Sequence, residues 1–256
     1  MVYTVPHYIG GKSLLETTTN SHTIYNPANG EAIGQVYFAD KALCDKTVAI
    51  AKEAWPSWAQ TAPVKRARIL FKFRELLEKY LPDIAKLVTR EHGKTLDDAK
   101  GSILRAIEVV EFNCGLVNQL QGDFSADVAT QMDCHTQRQP IGVCAGVSPF
   151  NFPVMVPVWM TIPAIACGNT FILKPSEQDP SATICLFELL TEAGLPAGVA
   201  NCLQGDKQTV EQLLAHPDIG LLLRLPQPRL PKQFTELPRH MVNGPIRLAV
   251  QKTIVW

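Results

Sequence analysis

Lys174 and Glu177 stand three residues apart in "LKPSEQDP", directly after the apolar run "GNTFIL". A carboxylate just past a strand can accept two hydrogen bonds from a ribose diol, as acidic residues do in dinucleotide sites. A lysine beside it adds a donor and offsets the charge. A free carboxylate there would repel a ribose phosphate, which favours NAD over NADP. The same two residues also read as a surface ion pair at a strand end, and spacing alone leaves both readings open. Asn151, in "GVSPFNFP", is the second candidate. Its amide could donate to a developing oxyanion, or it could be an Asx-turn residue ahead of a helix with Pro153 near its first position.

These residues need elements to place them. "IGVCAGVSP", "GNTFILKPS" and "GVANCLQG" are short runs of the buried type. Between them, residues 153–166 carry Val154, Val158, Ile162 and Ile165 at helical spacing, and 181–193 carry Cys185, Leu186, Leu189 and Leu190. A short helix with Val210, Leu213 and Leu214 follows. Strand and helix in alternation is the rhythm of a parallel α/β sheet. Ligands of such sheets bind at the carboxyl ends of the strands, and three ends are legible: 148–151, 174–177 and 204–206. The fingerprint G-x-G-x-x-G is absent, so a dinucleotide cannot be argued from glycines. Phe150, Phe152, Met155 and Trp159 read most simply as core.

Ahead of the sheet the chain is helical. Residues 3–38 read as small strands and turns, with Asn29-Gly30 a hairpin turn. Val48, Ala51, Trp55 and Trp58 recur at steps of three and four. After Pro63, Leu70, Phe73, Leu77, Leu81, Ile84 and Val88 form one stripe, with a kink or break expected at Pro82. Lys65, Arg66, Arg68, Lys72 and Arg74 beside it could form an anion site, but read first as the wet face of an amphipathic helix. "EHGKT" is a turn, and a third helix is expected to bury Leu104, Ile107, Val110, Cys114 and Val117. Residues 122–139 alternate mildly and read as a β-hairpin or arm.

Composition excludes some partners. Lys plus Arg and Asp plus Glu are 24 each, so the chain is neutral and lacks the basic footprint of a nucleic-acid or anionic-membrane protein. The seven cysteines contain no C-x-x-C pair and the six histidines show no ligand spacing, which argues for reduced thiols and against a metal. No secretory or transit pattern is read at the start, so a cytoplasmic location is expected.

"GVSPFNFPVMVPVWMTIPAIACGNTFILKPSEQDP" resembles the aldehyde dehydrogenase superfamily, and most of all its CoA-acylating methylmalonate-semialdehyde dehydrogenases. The likeness runs from "HYIGGK" to "AHPDI", ending at Ile219, and covers only the front of the family's length. It implies a Rossmann-like parallel sheet, incomplete here, with N-terminal helices, an oligomerisation β-hairpin at 122–139 and no catalytic domain. It implies Asn151 as the oxyanion donor and Ser148 and Phe150 lining the NAD site. Lys174 and Glu177 would hold the adenosine ribose, with Gln178 beside it. The implied reaction oxidises methylmalonate or malonate semialdehyde to propionyl- or acetyl-CoA, with NAD as oxidant, CoA as acyl acceptor and a homo-oligomer as the intact form. The nucleophilic cysteine of that reaction matches none of the seven here, which read as small buried residues. The expected product is therefore inactive by itself, or a nucleotide-binding or subunit-interacting fragment.

Residues 220–256 break the pattern. They hold five prolines and no amphipathic period. "VQKTIV" has codon choices whose shifted frame reads Ala-Lys-Asn-His-Cys, and "LPKQFTELPRHMVNG" has choices in the same phase that read as a helix of the family. The tail is thus expected to be out of frame, with the NAD-binding region confined to 1–219.

Overall fold

The computed structural model describes residues 3–224. The tail beyond Arg224, and with it most of the out-of-frame segment expected from the sequence, lies outside the described residues.

The centre is a six-stranded sheet. Four parallel strands, β8 (Val143–Val147), β9 (Thr170–Lys174), β10 (Ala200–Cys202) and β11 (Ile219–Arg224), lie in the order β11-β8-β9-β10. Two short antiparallel strands, β2 (His7–Ile9) and β3 (Lys12–Leu14), extend it past β10. The crossovers are α4 (Met155–Ala166), α5 (Ser181–Glu192) and α6 (Lys207–Ala215). The fourth strand in chain order returns to the far side of the first, so the strand order reverses between β8 and β11, where open sheets of this kind form a crevice. β11 pairs with β8 from Val143 to Val147, so the ordered sheet runs five residues beyond Ile219. The apolar "GLLL" explains this: a run buried on both faces needs no alternation.

Pleating sends the sheet's side chains into two cores. Cys144, Phe171 and Leu173 join the larger one, and Val143, Ala145 and Ile172 the smaller. The smaller core lies under α1 (Lys41–Ala59) and α6, and holds Leu43, Val48 and Leu213. The larger lies under α4, α5, α2 (Pro63–His92) and α3 (Leu96–Cys114), and its fully buried side chains include Phe73, Phe187 and Ile162. Each such side chain contributes about 1.5–3 kcal/mol by leaving water.

A second sheet, β1 (Tyr3–Val5), β4 (Ser21–Tyr25) and β5 (Ala32–Tyr37), closes the larger core with Val5, Ile24 and Val36. The turn between β4 and β5 is closed on Asn26, which accepts from Gly30 N at 2.8 Å. The hairpin β6 (Phe124–Ala129) and β7 (Met132–His135) stands away from both sheets, with Phe124, Val128 and Met132 exposed.

Three expectations change. α2 is one helix of 30 residues through Pro82. Pro82 and Glu78 are both exposed, so water can take the carbonyl that the proline leaves unbonded, while Leu77, Ile84 and Val88 keep the helix seated. Arg66 does not belong to a wet face. It is buried, donating from Nε to Ala166 O at 2.9 Å and from a terminal nitrogen to Thr61 O at 2.6 Å. It ties α2 to the end of α4, and Trp58 ties α1 to the same end by donating from Nε1 to Ile165 O at 3.0 Å. In α3 the buried stripe is Ile103, Ala106, Ile107 and Val110, and Leu104 is exposed.

Candidate active site

Two of the three strand ends form one place. The N–H of Ser148 donates to Lys174 O at 3.1 Å, continuing the β8–β9 ladder beyond the last paired residues. That bond fixes the segment carrying Asn151 against the segment carrying Glu177. The third end is filled. Gln204 is buried, donating its backbone N–H to His7 Nδ1 at 3.0 Å and its amide to Pro6 O at 3.1 Å. Asp206 caps α6 through Gln208 N and Thr209 N. These partners make the end of β10 a structural junction.

Lys174 is buried and Glu177 half-buried, and they meet at 2.7 Å. Burial works to raise the Glu177 carboxyl, but the ammonium of Lys174 outweighs it and holds the carboxyl below its ordinary range. Glu177 is therefore ionised and keeps an acceptor oxygen facing outward. Ser176 is buried and its hydroxyl accepts from Gln178 N at 3.1 Å, while the Gln178 side chain is exposed.

At the β8 end, Ser148 is buried with a hydroxyl that has no partner. Asn151 is exposed. Its backbone carbonyl accepts from Lys94 Nζ at 2.9 Å, and its carboxamide accepts no local N–H, so an Asx turn does not hold it. Phe150 is 45% exposed rather than core. Its ring stacks on His92, with centroids 5.9 Å apart and planes 25° apart. Thr183 Oγ1 donates to Pro153 O at 2.9 Å, anchoring the far side of the turn on α5.

Beneath both ends lies an acidic cluster that the sequence did not announce. Glu91 is buried, accepts from Ser181 N at 3.0 Å at the start of α5, and accepts from the Tyr3 hydroxyl. Asp179 is 2% exposed and neither of its oxygens has a partner. Burial, and then the Glu91 carboxyl, push it up to about 8. Burial also raises Glu91. The only sequence signal was the acid in "SEQDP" lying so near a buried strand.

The comparisons with known proteins converge. The model of the aldehyde dehydrogenase family matches residues 15–223. The chain belongs to the aldehyde dehydrogenase family.

Among relatives, a malonate-semialdehyde dehydrogenase of Pseudomonas aeruginosa is 48% identical over 216 residues, 84% of this chain and 43% of that protein. The human mitochondrial methylmalonate-semialdehyde/malonate-semialdehyde dehydrogenase [acylating] is 43% identical, over 85% of this chain and 41% of its own length. A crystal structure from Sinorhizobium meliloti, described as a methylmalonate-semialdehyde dehydrogenase complexed with NAD, superposes with a TM-score of 0.86 at 48% identity, covering 88% of this chain and 46% of that one. The chain thus spans less than half the length of the relatives it matches.

This aldehyde dehydrogenase chain holds its thiols in a poor state for attack. Burial pushes Cys44, Cys114, Cys167 and Cys185 up to about 11 and Cys144 up to about 12, and it raises Cys202 further. A thiolate, not a thiol, is the nucleophile. Cys134 is half-buried on β7 of the hairpin, not on either of the two strand ends that make the site. Among the described residues no group of three or more His, Cys, Asp or Glu is placed to hold a metal ion, and no helix is long and apolar enough to cross a membrane.

Proposed function

We propose that this chain supplies the NAD-binding front of an NAD-dependent, CoA-acylating methylmalonate- or malonate-semialdehyde dehydrogenase. The observation that carries the proposal is the ionised Glu177 on buried Lys174, at the end of the second parallel strand and one ladder bond from the Asn151 segment. The residues suit an adenosine ribose. Glu177 offers acceptor oxygens to two hydroxyls, Lys174 keeps the carboxylate charged, and the pair disfavours a 2′-phosphate. The unpartnered hydroxyl of Ser148 and the exposed face of Phe150 line the same end of the sheet, with Gln178 beside the ribose. Asn151 serves as the oxyanion donor, its free carboxamide meeting the aldehyde oxygen as that oxygen gains charge. Bound NAD supplies the two-electron oxidant of the aldehyde. The names of the relatives support the choice of semialdehyde, and the word acylating in the human relative's name supports CoA as acceptor. Phe124, Val128 and Met132 on the β6–β7 arm suit a second copy of the chain in a homo-oligomer.

The test is calorimetric titration of the 256-residue chain with NAD, ADP-ribose and NADP. ADP-ribose binding should match NAD within about threefold, and NADP should bind at least about tenfold more weakly, a difference of about 1.4 kcal/mol. Failure to bind either NAD or ADP-ribose would overturn the reading. The raised thiols favour a second reading for the chain taken alone, a nucleotide-binding part without turnover. It requires that no NADH form from the semialdehyde and CoA while NAD still binds.

A further inference from the structure

Two residues at the junction of α2 and α3, His92 at the end of α2 and Lys94 just past it, meet three consecutive residues of the turn after β8. His92 stacks on Phe150. Lys94 Nζ donates to Asn151 O at 2.9 Å and lies 4.7 Å from the centroid of the Phe152 ring. The two turns are 57 residues apart in sequence.

The turn after β8 has little to hold itself. Pro149 and Pro153 remove two of its backbone donors, and the Asn151 carboxamide makes no bond to the chain. What orients this peptide must come from outside it. The Lys94 ammonium fits that need, because a carbonyl oxygen and the face of an aromatic ring both attract a cation. Lys94 is itself firmly placed. It follows Gly93, whose φ of 84° and closeness to Pro27 (an added Cβ would sit 2.5 Å from Pro27 Cγ) seat the turn in a conformation open only to glycine.

We infer that Lys94 is a positioning residue for Asn151, pinning its peptide so that the carboxamide is presented at the carboxyl end of β8. This deepens the proposed function, since it rests on Asn151 as the oxyanion donor. Lys94 itself touches no reacting atom. A residue of this kind holds the donor in place before the reaction starts, which is what electrostatic stabilisation of an oxyanion requires.

The experiment is NMR of the unliganded 256-residue chain with Lys94→Met and Lys94→Arg. The Met variant keeps the aliphatic stem and removes the charge and the donors. Its Asn151 side-chain amide pair, and the backbone amides of Asn151 and Phe152, should shift and broaden. The amides of Lys174–Glu177 should stay in place, and ADP-ribose affinity should stay within twofold. The Arg variant, which donates and stacks, should restore the Asn151 signals. Unmoved Asn151 signals in Lys94→Met would overturn the inference, as would equal displacement in the Arg variant. If Lys94→Met does not fold, Lys94→Gln is compared with Lys94→Arg, with the same two outcomes. Loss of ADP-ribose binding in the unaltered chain sinks the proposed function and leaves the clamp standing. Unmoved Asn151 signals do the reverse.

Discussion

The two halves of the site are held by different physics. At the end of β9, Lys174, Ser176, Glu177 and Gln178 come from one stretch of five residues and bond to one another. At the end of β8, Phe150, Asn151 and Phe152 bond little among themselves and lean on His92 and Lys94 from the far side of α2. The first half is charged, local and set above buried acids. The second is nearly uncharged and depends on how two distant turns meet. The larger response to pH should therefore come from the β9 half, and changes at the two meeting turns should act on the β8 half.

The largest effect expected is on the β9 side. Asp179 is raised from 3.8 to about 8, so the folded state keeps a proton that the unfolded chain releases. Its contribution is full below pH 3.8 and is lost as pH rises through 8, on the order of 5 kcal/mol across that window. Glu91 is raised and works in the same direction. Glu177 is lowered and works the other way, its share being lost as pH falls. Buried His7, held down to about 4, opposes this fall below its ordinary 6.5, so urea unfolding from pH 7 to 8.5 should show falling stability, and Asp179→Asn should flatten that fall. An equal slope in both proteins would contradict the account. Next in size, Glu177→Ala leaves the buried Lys174 ammonium without its partner. A loss of roughly 3 kcal/mol is expected, the lower end for a broken buried pair because Glu177 is partly exposed. ADP-ribose affinity should fall by about tenfold or more in the same protein. Unchanged binding would show that the carboxylate does not meet the ribose.

The contrast also explains what could be read from the sequence. Lys174 and Glu177 were legible because a strand end and a three-residue spacing place them together without help from the rest of the chain. The alternation of strands and helices after 140 was legible for the same local reason. Asn151 could be singled out but not oriented, since its support comes from "HGK", which reads only as a turn. Phe150 looked like core because apolar type says nothing of the face it ends on. Arg66 looked wet because a guanidinium normally is, and only the fold supplies the carbonyls that let it be buried. The break allowed for at Pro82 does not occur, because solvent, rather than a neighbouring element, faces the carbonyl left without its bond.

Gly93→Ala tests the other half by shape alone. The left-handed φ costs an alanine about 1 kcal/mol, and the collision with Pro27 adds to it, for a total of about 2 kcal/mol. The turn should shift and carry Lys94 and His92 with it. ADP-ribose affinity should hold within about twofold, since the β9 half is self-contained. A joint loss of affinity would mean that the two halves are one unit.

The smallest effect separates packing from charge within the β8 half. Both nitrogens of His92 are buried without partners, and burial, then Lys94, hold its imidazole below the ordinary value. The unfolded chain thus takes up a proton near neutrality that the folded chain refuses, so this residue costs stability as pH falls below about 6.5. His92→Phe keeps a ring against Phe150 and removes the unpartnered atoms. It should equal or exceed the unaltered chain by up to about 1 kcal/mol at pH 7, with the gain growing toward pH 5.5. His92→Ala removes the ring and should lose about 1 kcal/mol. If both variants lose equally, the imidazole nitrogens have partners in solution, and the β8 half is held by hydrogen bonds that its packing does not reveal.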